Sequence, residues 1–227
     1  KIFDIAVYGN PESGLSSGQQ VIGKGLFFTF SVWIIIIVLK QASFMLAFLN
    51  NFQTPQAKVL KAIKMGIIAR KFTPDDIESA IDIWNEIVED GIAFPQMEQL
   101  DKQGGLDFFL SQSHTGVAIE ESTGNMVGLY ILHPNNVGRC GHICNTSYAV
   151  KGSERGKRIG EILVKDSMEQ AKKLGFRILQ FNAVVSTNEP ALRLYKKLGF
   201  TQLGIIPGGF LMKDGHYQDI IPHYHVL

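Results

Sequence analysis

The run Ser147-Tyr148-Ala149-Val150, followed closely by Arg155-Gly156-Lys157-Arg158-Ile159-Gly160, constrains most what this chain can fold into. A short strand-like segment passes into a basic, glycine-punctuated loop. That loop opens onto Ile159, Ile162, Leu163, Val164, Ala171 and Leu174, a spacing that suits an amphipathic helix closed by Gly175. The first N–H groups of a helix have no partner within it and favour an anion placed before the N-terminus. Arg155, Lys157 and Arg158 add positive charge, while Gly156 and Gly160 let main chain approach a ligand without an intervening Cβ. The order strand, loop, helix therefore reads as a phosphate site, with a merely solvated basic helix start as the alternative.

A second unit favours the phosphate reading. Ile178 to Val185 has strand composition, Asn188 is placed to cap the helix that follows, Pro190 falls in its first turn, and Gly199 ends it before Phe200. With these residues in view, the chain resembles the GCN5-related N-acetyltransferase (GNAT) family over roughly residues 66–227. The family's signature is Arg/Gln-x-x-Gly-x-Gly/Ala followed by an Asn…Leu-Tyr-x-x-x-Gly-Phe segment. Arg155 and Gly160 match it, as do Asn188, Leu194-Tyr195 and Gly199-Phe200, but Arg158 stands where the family has its inner glycine. Arg139-Cys140-x-His142-x-Cys144-Asn145, Phe181-Asn182 and Asn188 are also similar to the yeast-type azetidine-2-carboxylate (proline-analogue) N-acetyltransferases.

The resemblance implies an α/β fold with a mixed, mostly antiparallel central sheet whose middle strands splay apart, flanked by helices. A coarse pass agrees with it. Strands are expected at Ile67 to Phe72, Thr115 to Glu120, Met126 to Leu132, His142 to Val150 and Ile178 to Val185, then near Gln202 to Ile206 and Asp219 to Val226. A helix starts at Thr73-Pro74 with Ile77, Ile81, Trp84, Ile87 and Val88 as its buried stripe, and a second is expected around Met97 to Leu110.

Acetyl transfer needs two aligned substrates, donors for a developing oxyanion and a proton for the departing thiolate. The resemblance implies that the acyl carrier's arm runs between the Tyr148–Val150 and Ile178–Val185 strands, held by main-chain groups of Tyr148 and Val150. It implies a diphosphate on Arg155, Gly156, Lys157, Arg158, Ile159 and Gly160, with Asn188 beside it. Tyr195 is the candidate acid for the sulfur, its hydroxyl being a donor that stays protonated at neutral pH. The strand face where the family often carries a glutamate has Asn145, Thr146 and Ser147 instead. Amides bind rather than deprotonate, so Asn145 and Asn182 are candidates to hold a substrate carboxylate, Asn188 aligns the amine, and Phe94 lids the acceptor pocket.

The co-substrate expected is acetyl-CoA and the acceptor a small-molecule amine, amino acid or imino acid. An acyl-CoA sensor without turnover is the alternative. No metal is expected: Cys140, His142 and Cys144 on one strand put the outer pair ~13 Å apart, too far for one tetrahedral ion. His223 and His225 read as outward residues of the last strand.

Charge divides the chain at about residue 74. Residues 1–74 carry 8 Lys/Arg and 2 acids, whereas residues 75–227 carry 14 and 19. An acidic catalytic part has no nucleic-acid footprint, so no nucleic-acid partner is expected. Residues 65–227 are read as the N-acetyltransferase domain and 1–64 as a hydrophobic, basic extension. Within it, 26–49 as one helix would be ~36 Å long, enough to span a bilayer, although Lys40 interrupts it. Three readings stand for the extension: a membrane anchor, an extra packing or dimer element, and sequence foreign to a domain that begins at Met65. Two cysteines and the basic residues after 49 point to a cytoplasmic domain, at the inner face of a membrane if anchored.

Overall fold

The computed structural model describes residues 66–227; the 1–64 extension, with its 26–49 segment and the anchor, packing and dimer readings attached to it, lies outside the described residues. Strand β1 (Ile67–Lys71) is followed by a 3-10 turn at Pro74–Asp76, α1 (Ile77–Asp90), α2 (Lys102–Ser111), β2 (His114–Glu120), β3 (Met126–Pro134) and β4 (Ile143–Val150). Then come α3 (Ile159–Lys173), β5 (Ile178–Phe181), α4 (Glu189–Lys197), β6 (Thr201–Gln202), β7 (Ile206–Leu211), β8 (Tyr217–Ile220) and β9 (His223–Val226). The main sheet has the order β1-β2-β3-β4-β5-β9-β6, and β7-β8 form a separate ribbon. Every pair in the main sheet is antiparallel except β4 with β5. This is the mixed, mostly antiparallel sheet that the family resemblance implies.

Helices cover both faces, so β2 and β3 are buried along nearly their whole length and read as continuous apolar runs. On one face Ile83, Trp84 and Ile87 of α1 and Phe109 of α2 pack against Val117, Leu129, Ile131 and Ala149. On the other, Ile159, Leu163, Val164 and Ala171 of α3 pack against Ala118, Tyr130, Leu132, Cys144 and Leu179. Tyr130 lies flat over Gly116 of the neighbouring strand: a Cβ there would stand 2.2 Å from the tyrosine ring. The Tyr130 hydroxyl donates to Asp166 of α3 at 2.6 Å, tying the helix to the sheet.

Several boundaries differ from the sequence reading, each for a local reason. The second helix begins at Lys102, not Met97. The Asn85 carboxamide accepts from Leu100 N–H and donates to Leu100 C=O, both at 2.8 Å, which keeps that segment out of a helix. Asp101 then caps α2 by accepting from Gly104 N–H at 2.6 Å. The α1 stripe includes Ala80 and Ile83, while Ile81 is only half-buried. Strand β5 stops at Phe181, and Val184 to Ser186 instead bond to Asp219–Ile221 by an isolated bridge and flanking main-chain bonds. The C-terminal region holds four strands where two were read. Pro222 lacks an N–H and separates β8 from β9, and the glycines of Pro207-Gly208-Gly209 conceal β7 as loop composition. His223 faces inward, not out: it is 4% exposed, and its Nδ1 hydrogen-bonds Ile221 C=O at 2.7 Å.

Candidate active site

The parallel ladder between β4 and β5 ends at the pair Asn145–Gln180. Beyond it β5 pairs only with β9, and Phe181 sits opposite His223. The residues of β4 past Asn145 therefore have β3 on one side and a gap on the other. Which groups face the gap follows from the alternation of main-chain direction along a strand. Ile143 C=O and Lys151 N–H bond toward β3, whereas His142 C=O accepts from Arg177 and Ile178 on the β5 side. The even residues thus point their main chain toward β5, which leaves those of Tyr148 and Val150 facing the gap. Tyr148's own hydroxyl is occupied, bonded to Thr146 Oγ1 at 2.8 Å and to Ser167 Oγ of α3 at 2.7 Å, and burial raises its pKa.

Three cavities with shared lining residues lie along and beside the gap. The first, of about 670 Å³, is lined by Tyr148, Val150, Arg155, Gly156, Arg158, Ile159, Gly160 and Asn188, with α1's Ile87 and Asp90 opposite. The second, about 210 Å³, lies further in and holds Phe94, Asn145, Asn182, Asn188 and Tyr195. The third, about 470 Å³, opens on the α2 side and shares Asn145, Ser147 and Pro95 with the second. All the proposed site residues line one of the first two cavities except Lys157. Its ammonium instead pairs with Glu154 at 2.5 Å.

The loop before α3 has a fixed shape. Gly152 N–H donates to the Glu86 carboxylate at 2.9 Å, which anchors the start of the loop on α1. Gly156 has φ +85°, and Arg158, at the N-cap of α3, has φ +66°, the one non-glycine left-handed residue among the described residues. The position where the family carries glycine has kept a glycine's backbone under an arginine side chain. Arg158 Nη1 is buried with no hydrogen-bond partner. Arg155 bonds to Asp90 at 2.8 Å across the cleft mouth. Glu161, in the first turn of α3, accepts from Lys197 of α4 at 2.6 Å and pairs with Lys165 at 2.9 Å, locking α4 against α3. Burial alone would raise the Glu161 pKa, and the two ammonium groups more than reverse this, leaving it lowered.

Helix α4 carries Tyr195 to the inner cavity. Asn188 starts the helix, its Oδ1 accepting from Ala191 N–H at 3.3 Å, and it lines both the first and second cavities. The Tyr195 ring packs on Phe181 with centroids 4.4 Å apart and lies 5.9 Å from His223. Its hydroxyl makes no hydrogen bond among the described residues, and burial pushes its pKa up, so it stays protonated. Asn182 is tethered, its Nδ2 donating to Asn135 at 2.6 Å and its Oδ1 accepting from Gln180 at 2.9 Å. Phe94, read as a lid, is 5% exposed and packs tilted against Trp84 with ring centroids 4.4 Å apart, so it forms part of the cavity wall. Glu86, Asn135 and Gln180 escaped the sequence reading, because each acts through a partner distant in sequence or hidden in an unremarkable polar residue. The Cys144 thiol is buried and its pKa is pushed up to about 12.

Residues 80–200, more than half of the chain, match the model of the acetyltransferase (GNAT) family. The chain belongs to that family. N-acetyltransferase aca1 of Schizosaccharomyces pombe is 31% identical over 158 residues, covering 62% of this chain and 76% of that protein. The GCN5-related N-acetyltransferase from Kribbella flavida has a TM-score of 0.66 and 28% identity, over 71% of this chain and 98% of its own. A phosphinothricin acetyltransferase from Sinorhizobium meliloti, solved in complex with AcCoA, shares the fold at 21% identity and TM-score 0.66, over 72% and 89% of the two chains. The protein is therefore an enzyme of the N-acetyltransferase class, and acetyl-CoA is its co-substrate. The first cavity suits that co-substrate: it combines a buried guanidinium nitrogen without a partner, a glycine loop at a helix N-terminus and an unpaired strand edge. Among the described residues, no helix is long and apolar enough to cross a membrane.

Proposed function

We propose that the protein transfers the acetyl group of acetyl-CoA to the nitrogen of a small amino or imino acid, with cyclic secondary amines such as azetidine-2-carboxylate as the leading class. The observation that carries this reading is the inner cavity. At about 210 Å³ it is small, and its lining has no Asp, Glu, Lys or Arg but three carboxamides, Asn145, Asn182 and Asn188. Neutral amide N–H groups bind a carboxylate while leaving the amine unpaired and nucleophilic. Asn182 keeps one Nδ2 hydrogen free after its bond to Asn135, which suits it to that task.

In this reading the diphosphate lies against Arg158 and the N–H groups at the start of α3, with Arg155 exchanging its Asp90 partner for phosphate. The thioester supplied by acetyl-CoA is the electrophile. Main-chain groups of Tyr148 and Val150 hold and polarise it from the open edge of β4, which costs no reorganisation because β3 fixes that strand. Tyr195 Oη donates its proton to the departing sulfur. Asn188 orients the acceptor nitrogen between the two cavities. The assay is thiol release from acetyl-CoA by residues 65–227 across amino acids, azetidine-2-carboxylate, proline analogues and polyamines. Preference for cyclic imino acids is expected, with the acceptor KM raised by Asn182→Ala. Preference for polyamines would sink the substrate reading, since the cavity offers no anion to bind them.

A further inference from the structure

We infer that His133 is the general base of the acetyl transfer, taking the proton of the acceptor nitrogen at its Nε2. This rests on the function proposed above, with the acceptor held at Asn145, which lines both the inner cavity and the third, outer cavity on the α2 side. The reaction releases a proton from the acceptor, an ammonium at neutral pH that must become a free amine before it attacks. Among the residues lining the second and third cavities, His133 is the one imidazole; the others are amides, hydroxyls, the tyrosines and apolar side chains, none of which serves as a general base.

Position and tautomer both suit the task. His133 is the register partner of Asn145 across β3 and β4. Directly opposed residues of an antiparallel pair have side chains on one face, with Cβ atoms about 4.5–5.5 Å apart. That face is the α1/α2 side, where Ile131, two residues earlier, also packs. His133 therefore stands beside Asn145, one of the three residues common to the outer and inner cavities. Its Nδ1 lies 3.0 Å from Pro134 C=O. A carbonyl oxygen only accepts, so Nδ1 carries the hydrogen and the neutral ring keeps its lone pair on Nε2. The Nδ1–H bond persists when Nε2 is protonated, so the ring need not turn to accept the proton. No Asp, Glu, Lys or Arg lines the outer cavity around it.

In the complete step the acceptor's N–H proton passes to His133 Nε2, directly or through one water. The N–C bond forms, the thioester C–S bond breaks, and the sulfur takes the Tyr195 proton. Exchange with solvent then removes the ammonium proton from His133, and the remaining N–H proton shed by the newly bonded nitrogen passes through solvent to refill Tyr195. No oxidant, reductant or further reactant is needed.

The test uses the full chain and whichever amine of the panel the wild type acetylates, so a wrong substrate class and a wrong base give different results. His133→Gln is expected to lower kcat/KM for the acceptor about 100-fold or more, to leave the KM for acetyl-CoA within about twofold, and to abolish the acidic limb of the pH–kcat/KM profile. His133→Ala is expected to regain at least about fivefold of its lost rate with added imidazole. In the wild type without acetyl-CoA, the Hε1 resonance of His133 is expected to shift as acceptor is added. A His133→Gln enzyme that matches wild type within threefold and keeps the acidic limb overturns the assignment. So does a folded His133→Ala, with an unchanged melting temperature, whose lost rate imidazole does not restore. A linear amine as the preferred acceptor, with the His133 effects intact, overturns only the cyclic imino acid.

Discussion

Arg158→Gly sets two consequences of one residue against each other. At φ +66° a side chain with a Cβ is strained by about 1–2 kcal/mol relative to the right-handed region. A buried donor left without a partner, as Arg158 Nη1 is, costs about 1–3 kcal/mol. Glycine removes both penalties and loses roughly 0.5–1 kcal/mol through the greater freedom of its unfolded chain. The variant without ligand is therefore expected to be more stable by about 1–4.5 kcal/mol, which for a domain of this size raises the melting temperature by roughly 2–18 °C. The same change removes the charge-assisted contact to phosphate proposed for Arg158, about 1.5–3 kcal/mol, so on that proposal the KM for acetyl-CoA is expected to rise about 10- to 150-fold. Thermal melts with and without acetyl-CoA, alongside initial rates, read both quantities. A variant that melts lower than wild type while keeping its KM for acetyl-CoA would refute both the strain and the phosphate contact.

Other outcomes follow from the same geometry. Tyr195→Phe is expected to lower kcat at least about 100-fold while acetyl-CoA binding, read by calorimetry, stays within about twofold, since the ring packing on Phe181 survives; an unchanged kcat removes Tyr195 as the acid. Gly116→Ala must displace the buried Tyr130 ring and its bond to Asp166, and is expected to destabilise the fold by about 2–3 kcal/mol in urea unfolding; a change under 0.5 kcal/mol contradicts that close approach. His114 has a buried, unpartnered Nε2, and its pKa is lowered first by burial and then by Lys71 and Lys173, against the pull of Asp166. Above pH ~6.5 the ring is neutral in both folded and unfolded states; as pH falls below that the unfolded chain takes the proton first, so stability is lost on the way down to the lower folded value. Melts from pH 8 to 5 should show wild type losing ground to His114→Phe only below pH ~6.5, and parallel curves would contradict this.

Local chemistry made much of the fold readable in the chain. The α3 start, the Asn188 cap with Pro190 behind it, the Gly199 stop and the apolar runs of β2 and β3 depend on neighbours within a few residues, and such signals survive in a linear string. So does the family pattern, since Arg155 and Gly160 sit at a set spacing in one loop and helix start, and Tyr195 at a set spacing between Asn188 and Gly199 in the next helix. Tertiary structure decided what depends on partners far apart. Asn85 delays the start of the second helix by bonding a residue fifteen positions away, and Val184 to Ser186 leave β5 to bond Asp219–Ile221. His223 is turned inward by the pairing of β9 with β5, which no periodicity of its own reveals. The left-handed backbone under Arg158 contradicts that residue's own preference and is held by the loop's anchorage to Glu86 and by α3. His133 reads in isolation as one polar residue at a strand end. Only the β3–β4 register sets it beside Asn145, because contacts between strands are fixed by packing and hydrogen bonding across the sheet and not by distance along the chain.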